Sequence, residues 1–506
     1  MYQHNIHQVQ FENFDLPFSG KLRSDNRWVK MAKWIPWEAF DGLYKKSLSG
    51  SKTGSPALSA RVALGALIIK ERLGTSDEET VEQIRENPYL QYFLDFKEYR
   101  DDEPFDPSMF VHFRKRISKE MIDQANEQVV AKALSEKQKA EKEYDDTDPP
   151  GPAPKNKGKL LLDATCAPAD ITFPTDLKIL NSAREKSEEI IDIFHRPFVG
   201  WLKKPRTYRR VARKKYLAAA KSKRLTKGKR RKALRSQLGY LRRNLRTIEA
   251  QSRQTSLFML NRRQYKNLLV IHEIYRQQQW MYDHRVNRVD DRIVSLSQPH
   301  VRPIKRGKAG SKTEFGAKIS VSLVEGFAFV DRISWDNYNE AGDLKSVIAS
   351  YRSRFGFYPK SVHVDKIYRN RGNRQFCKKH GIRISGPALG RPPKQVDPVR
   401  KVLAKQDERE RVLIEGKFGQ GKRRFGLGRI MSKLSSTSET SIGLVFLVMN
   451  IERWLKAIHF SSFWGKESCL DCLFGFRGVI LSHLKKKAAA VHLNQNCCLV
   501  RLKGAF

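Results

Sequence analysis

Between residues 58 and 73 apolar side chains recur at helical spacing, at Leu58, Val62, Ile69 and Leu73, and Gly74 stands where a helix C-cap belongs. Ser76 precedes Glu79 by three positions, a capping-box spacing that predicts a new helix start. Asn87-Pro88 and Asp106-Pro107 repeat one signal, a capping side chain followed by proline at the first helical position. The helix predicted after Pro107 turns Phe110, Phe113 and Ile117 inward and fans Arg114, Lys115 and Arg116 outward. Residues 1–137 therefore read as an all-helical domain closing on a basic helix, which fits a helix-turn-helix-like DNA reader. A solvated helix end is the plainer reading of the same three cations. Residues 138–158 dissolve into charges and then Asp-Pro-Pro-Gly-Pro-Ala-Pro, a stiff linker.

Beyond the linker, residues 159–164 (Lys-Leu-Leu-Leu-Asp-Ala) form a short apolar run ending on an acid, as a buried strand does. Helical patterning follows to about residue 295. After Val301 the period shortens. Residues 315–323 and 327–335 are strand-like and joined at Glu325-Gly326, a hairpin signal. Residues 343–355 read as a helix, 360–365 as a strand that also ends on an acid, 371–380 as a helix and 381–384 as a short strand. A Pro- and Gly-rich loop, 386–398, leads to a charged helix over about 399–417. This order predicts a multidomain α/β chain. Its ribonuclease H-like mixed-sheet core (159–176 and 301–457) is interrupted after the first strand by a helical insertion (177–300) and followed by a C-terminal extension (458–506).

Charge suggests the partner. Lys and Arg number 97 against 54 Asp and Glu, a formal net charge of +43. Such an excess repels itself unless a polyanion neutralises it, which points to nucleic acid and to salt-dependent binding. The insertion concentrates the excess: residues 203–246 hold twenty Lys or Arg and no Asp or Glu, interleaved with Leu and Tyr. That pattern predicts basic helices lying on a phosphate backbone, with Arg230, Arg231, Arg242 and Arg243 as DNA contacts; a solvated face is the alternative. No stretch reaches the roughly twenty apolar residues of a spanning helix. The start Met-Tyr-Gln-His lacks a basic-then-apolar leader, and six scattered cysteines suit a reducing compartment. The expectation is a cytoplasmic, nucleoid-associated protein with no membrane partner.

Three acids stand out by position. Asp163 ends the first predicted strand, Asp365 ends the strand after the hairpin and helix, and Glu415 lies on the helix after the last strand. Ligand sites in open α/β sheets gather at strand ends, and a helix packed across that end would bring Glu415 alongside. Three carboxylates in one place repel unless divalent cations neutralise them. Two Mg2+ ions suit such a set, activating an attacking oxygen and stabilising a leaving one at phosphorus, and Mn2+ should substitute. Any one of these acids alone reads as a surface or capping residue. The inference rests on all three falling on the right elements together.

At these residues the chain resembles the DDE transposases of bacterial insertion sequences, specifically the insertion-sequence-five group, over about residues 58–457. Asp163-Ala-Thr165 is similar to the family's first motif, Asp-x-Thr, and Asp365-Lys-Ile-Tyr368 to the second, an acid followed three residues later by an aromatic. The third motif is Tyr, two residues, Arg, three residues, Glu, six residues, Lys. Arg411, Glu415 and Lys422 fall at those spacings, with Glu408 in the tyrosine's place. The resemblance implies that Asp163, Asp365 and Glu415 are catalytic metal ligands and that Arg411 and Lys422 hold DNA phosphates near the cut. It also implies that the N-terminal domain recognises terminal inverted repeats. The active site would hydrolyse a phosphodiester at the element's end, and the freed 3′-hydroxyl would attack target duplex DNA. A homodimer would hold the two ends together.

Weaker signals are weighed beside these. Cys469-Leu-Asp-Cys472, with His492, Cys497 and Cys498, lacks a regular second half for zinc and reads as ordinary thiols. The glycines of 416–428 lack the order of a nucleotide loop, so Lys422, Arg423 and Arg424 are assigned to DNA phosphate. Asp331, Asp336 and Glu340 read as hairpin-surface acids, with a supporting role at the site as the alternative. Residues 442–454 read as a buried helix. Two rival functions stand beside the transposase: a ribonuclease H-like nuclease without strand transfer, and a catalytically inactive DNA-binding repressor.

Overall fold

The computed structural model describes residues 14–16, 20–48, 56–142, 156–305, 313–386 and 398–464. The linker's proline run, most of the 386–398 loop and the C-terminal cysteines lie outside them. Residues Met1–Asn450 form one compact unit and Ile451–Phe506 a second. Among the described residues no helix is long and apolar enough to cross a membrane.

The N-terminal part is helical: α1 (Arg27–Trp34), α2 (Trp37–Ser47), α3 (Ala60–Leu73), α4 (Asp77–Glu86), α5 (Pro88–Phe93), α6 (Met109–Arg116) and α7 (Lys119–Lys142). Local chemistry sets several of the boundaries. Gly74 takes the left-handed conformation that ends α3, the Ser76 hydroxyl accepts the Glu79 N–H, and Asn87 caps α5 ahead of Pro88. The apolar face of α3 is wider than its sequence stripe, because residues 60–69 are buried on every side. Asp106-Pro107 differs from the expectation. Asp106 accepts the Ser108 N–H at 2.8 Å to shape a turn, and the helix starts only at Met109. Phe110, Phe113 and Ile117 are fully buried, as their spacing required.

Among the described residues six strands make one mixed sheet: β1 (Lys159–Pro168), β2 (Arg302–Lys305), β3 (Thr313–Val324), β4 (Phe327–Ser334), β5 (Ser361–His363) and β6 (Arg383–Ile384). The path runs β2-β3-β1-β5-β6, and β4 also pairs with β3. The pairs β1–β3, β2–β3 and β3–β4 are antiparallel, whereas β1–β5 and β5–β6 are parallel. Glu325 and Gly326 both take positive φ, giving the two-residue hairpin read from the sequence. The first strand runs four residues past Ala164, because β3 pairs with it as far as Gly316. Gly316 has no spare room: a Cβ there would lie 2.1 Å from the Ala167 carbonyl oxygen. β2, only four residues long, carries no periodicity to read.

After β1 the insertion forms α8 (Asp176–His195), α9 (Arg209–Ala220), α10 (Lys227–Ser252) and α11 (Arg262–Asp283). It has its own apolar core, including Leu180, Ile191, Phe194, Leu241, Ile271 and Ile274. Inside it the buried Arg184 guanidinium is held by Glu188 and Asn181. The last helix ends at Asp283, short of residue 295, and extended chain returns to β2. The remaining helices are α12 (Leu344–Phe355), α13 (Arg371–Lys379), α14 (Pro398–Arg424) and α15 (Ser435–Trp464). Helix α14 continues past Lys417 through Gly419 and Gly421, so the glycine-rich stretch is largely helix rather than loop.

The β4 edge is closed by amides rather than left open. Asn450 of α15 accepts the Ala328 N–H at 2.9 Å and donates to the Ala328 carbonyl at 2.8 Å. Asn126 of α7 donates to the same carbonyl and accepts from Asn450. Asn450→Ala should strip these partners from buried groups and cost about 1–3 kcal/mol. The check is a lower melting temperature in calorimetry; an unchanged one would mean that water replaces the amide.

Candidate functional site

Asp163 lies inside β1, paired with Val321, and not at the strand's end as its sequence suggested. The strand alternates Leu161, Asp163 and Thr165 on one face, so the acid emerges there into a cleft. Its Oδ1 accepts the Ala164 N–H at 2.8 Å. Asp365 sits two residues beyond β5, where its carboxylate caps a short turn by accepting the Lys366 N–H at 2.6 Å. Glu415 projects from α14, half-exposed, with the Arg411 guanidinium 3.0 Å away. All three acids line one cleft of about 930 Å3, together with Glu340, Lys318, Arg411 and Lys422.

The cleft crowds negative charge. Burial pushes the Asp163 carboxyl up to about 6, with Glu340 and Asp365 adding to the rise and the Ala164 N–H and Arg411 opposing it. Tyr368, the aromatic three residues after Asp365, is fully buried. Burial raises its phenol well above the ordinary range, and the nearby Glu340 and Asp163 charges add to this. It therefore stays neutral beneath the acids.

The sequence leaves Glu340 between a hairpin surface and a supporting role at the site. Here it lines the cleft, ion-paired to Lys318 at 2.9 Å. Only the fold of the 340–343 turn against β3 decides that, and no spacing announces it. Asp331 is instead buried against Arg354, and Asp336 is exposed beside Arg302. Glu408, in the position of the motif tyrosine, accepts from Arg411 at 3.0 Å, so Arg411 bridges Glu408 and Glu415.

Charge seats α14 on the sheet. Arg383 of β6 donates to both Asp407 oxygens, and Lys159 of β1 donates to Glu410 at 2.6 Å. The buried His363 of β5 directs Nδ1 between them, 3.7 Å from Asp407 and 3.6 Å from Glu410. Burial lowers the His363 pKa despite these two carboxylates. His363, Asp407 and Glu410 have the spacing to hold a metal ion. Lys159 and Arg383 already balance the two acids, so charge demands no ion there. The arrangement ties α14 to three strands and so settles where Glu415 stands.

With this geometry in view, the comparisons with known proteins are specific. Residues 362–452 match the family described as Transposase DDE domain, a range that contains Asp365 and Glu415. Residues 17–116 match a second family, described as Transposase domain. Over these two ranges the chain is similar to the DDE transposases of insertion sequences. Asp163 falls outside both matched ranges and joins the other acids through the sheet. The chain is also 31% identical over 156 residues to an uncharacterized protein, ORF8 in the nfe locus of Rhizobium meliloti. That alignment covers 30% of this chain and 66% of the relative's length. No solved structure matches.

Of the cations that the sequence singles out, some are exposed and others are paired within the fold. Arg114 does not fan outward: it makes a two-pronged pair with Asp77 at 3.0 and 2.7 Å, because α6 packs beside the start of α4. Arg116 turns to the buried Tyr44 phenol, and Lys115 alone of the three is exposed. In the insertion Arg230 and Arg242 are exposed. Arg231 instead stacks 4.0 Å over Tyr282 and donates to its carbonyl, and Arg243, also exposed, lies over Tyr208. Lys422 lines the acidic cleft, and Arg423 is exposed, its guanidinium near the Gly419 carbonyl.

Proposed function

We propose that this chain is a transposase of the insertion-sequence-five group that cuts the ends of its element and joins them to target duplex DNA. The observation that carries the reading is the convergence of Asp163, Asp365 and Glu415 in one cleft, rimmed by Arg411, Lys422 and Lys318. The strand order β4-β3-β1-β5-β6, antiparallel through β1 and parallel after it, supports a ribonuclease H-like core. The helices within residues 17–116 support a DNA-recognition role at the terminal repeats, with Lys115 as the exposed one of the three cations that end α6.

The residues present fit a pair of divalent cations. A carboxyl held near 6 by burial and by like charges is one whose ionised form a cation would stabilise. Asp163, Asp365 and Glu415 would hold two Mg2+, with Mn2+ as substitute. Bound there, the ions supply charge neutralisation at phosphorus and activation of the attacking and leaving oxygens. The chain's own groups do the rest. Arg411 and Lys422 grip phosphate oxygens beside the cut, and Tyr368 holds a neutral phenol under the acids. Lys318 keeps Glu340 paired, so that this fourth acid does not repel the DNA backbone. A homodimer would bring the two ends together.

The test is incubation of the full chain with labelled element-end duplex, a target plasmid and Mg2+. Joined products are expected. Nicks without joining would replace this reading with the nuclease, and tight binding with neither product would favour the repressor.

A further inference from the structure

Helices α9 and α10 enclose a groove of about 690 Å3 on the insertion. Along α10, Lys229, Lys232, Ser236, Tyr240 and Arg243 recur at spacings of three and four, so they share one face. At about 1.5 Å per residue that face is roughly 21 Å long. Lys215 of α9 stands opposite, its ammonium 5.6 Å from the Tyr240 ring. The floor is made of small residues, Ala218, Ala219, Ala233 and Gly239.

Two features mark this groove. No Asp or Glu lines it. Its cations Lys229, Lys232 and Arg235 are exposed and make no ion pair among the described residues. Some other cations of the insertion are occupied, Arg209 and Lys204 on Asp192 and Arg231 on Tyr282, while Arg230 and Arg242 stand exposed on the same helix outside the groove. A row of like charges one helical turn apart is unfavourable until an anion lies along it.

We propose that the α9–α10 groove is a binding site for the sugar-phosphate backbone of duplex DNA, held without regard to sequence. It rests on the transposase reading only in taking DNA as the partner. Phosphates of one strand follow the Lys229–Lys232–Arg235 row while deoxyribose carbons lie on the alanine floor. A face of roughly 21 Å spans about six base-pair steps at 3.4 Å each. The groove offers no Asn or Gln to pair with base edges. Lysine ammoniums meet phosphate as point charges, and phosphate contacts position a duplex without specifying it. This moves the DNA contact away from Arg231, which the tertiary structure has already committed to Tyr282. An acidic peptide is the other polyanion that the charge admits, and the experiment separates the two.

The experiment measures binding of the full chain to two unrelated 30-base-pair duplexes by fluorescence anisotropy, from about 50 to 300 mM salt. It compares the native chain with the triple variant Lys229→Gln, Lys232→Gln, Arg235→Gln. The double variant Arg230→Gln, Arg242→Gln removes exposed charge from the same helix outside the groove. Each lost phosphate contact lowers the salt slope by about 0.9, so the triple variant should lose about 2 to 3 in slope on both duplexes. The double variant should lose less than one. Gly239→Leu keeps every charge and blocks the floor. A Cβ at Gly239 meets nothing within 4 Å, so the variant folds, and it should bind at least about tenfold more weakly. Equal loss of slope per charge in the triple and double variants overturns the proposal, as does native binding by Gly239→Leu. Steep native binding that the triple variant leaves unchanged also overturns it and leaves the acidic peptide as the groove's ligand. A native chain with no salt-dependent DNA binding sinks both this site and the transposase reading.

Discussion

Glu415→Gln and Asp365→Asn are each expected to lower cleavage of element-end DNA by about a thousandfold or more, with duplex affinity nearly unchanged. A metal that activates the attacking oxygen and stabilises the leaving one supplies several kcal/mol of the barrier, and each 1.36 kcal/mol is a factor of ten. Neither substitution empties a core. Asp365 is exposed and Glu415 half-exposed, so the folded chain should persist and the loss should appear in the chemical step. Glu415→Gln also releases Arg411 from one of its two acids, while Glu408 retains it. Binding should therefore fall by less than a factor of a few. The measurement is single-turnover nicking beside an equilibrium binding curve. Cleavage within tenfold of native would remove Glu415 from the site, and a parallel collapse of binding would make its role one of DNA contact.

Asp163→Asn should do two opposite things. Without divalent cations it is expected to stabilise the folded chain at pH 7, and with them to lose the thermal shift expected of the native chain in Mg2+ or Mn2+. The carboxyl's ordinary value of 3.8 is raised to about 6 in the fold, so the folded state keeps a proton that the unfolded state has released between those values. Native stability therefore falls as pH rises through this window, by about 3 kcal/mol in all, and the full cost remains above pH 6. The amide carries no charge and can still accept the Ala164 N–H. Its advantage should be largest at pH 7, smaller at pH 5 and absent below about pH 4. Melting curves at these three values, with and without Mn2+, decide it. A variant less stable than native at pH 7 would show that the carboxylate is not strained in the metal-free fold. A full Mn2+ shift in the variant would place the cations elsewhere.

The same two sites show how far local information reaches. Caps and turns were legible because they depend on neighbours in the chain. Gly74, Ser76 with Glu79, Asn87-Pro88 and the Glu325-Gly326 hairpin all stand where backbone geometry needs those residues. The buried run before Asp163 and the spacing of Arg411, Glu415 and Lys422 were equally plain, since a strand or a single helix carries them. Asp106-Pro107 marks the limit, because a turn and a helix start share that signal. The extent of β1 past Ala164 depended on β3, more than a hundred residues away.

By itself the sequence determined a basic, mixed helical and sheet chain with an interrupted core, and it named the three acids by motif. Tertiary structure alone decided which charges are spent and which are available. It brought Glu340 into the cleft, committed Arg114 to Asp77 and Arg231 to Tyr282, and fastened α14 to three strands through Asp407 and Glu410. The physical reason is that an ionic side chain looks the same in sequence whether it faces solvent, a carboxylate or a ring. Its partner lies across a packing interface, and packing is a property of the whole chain.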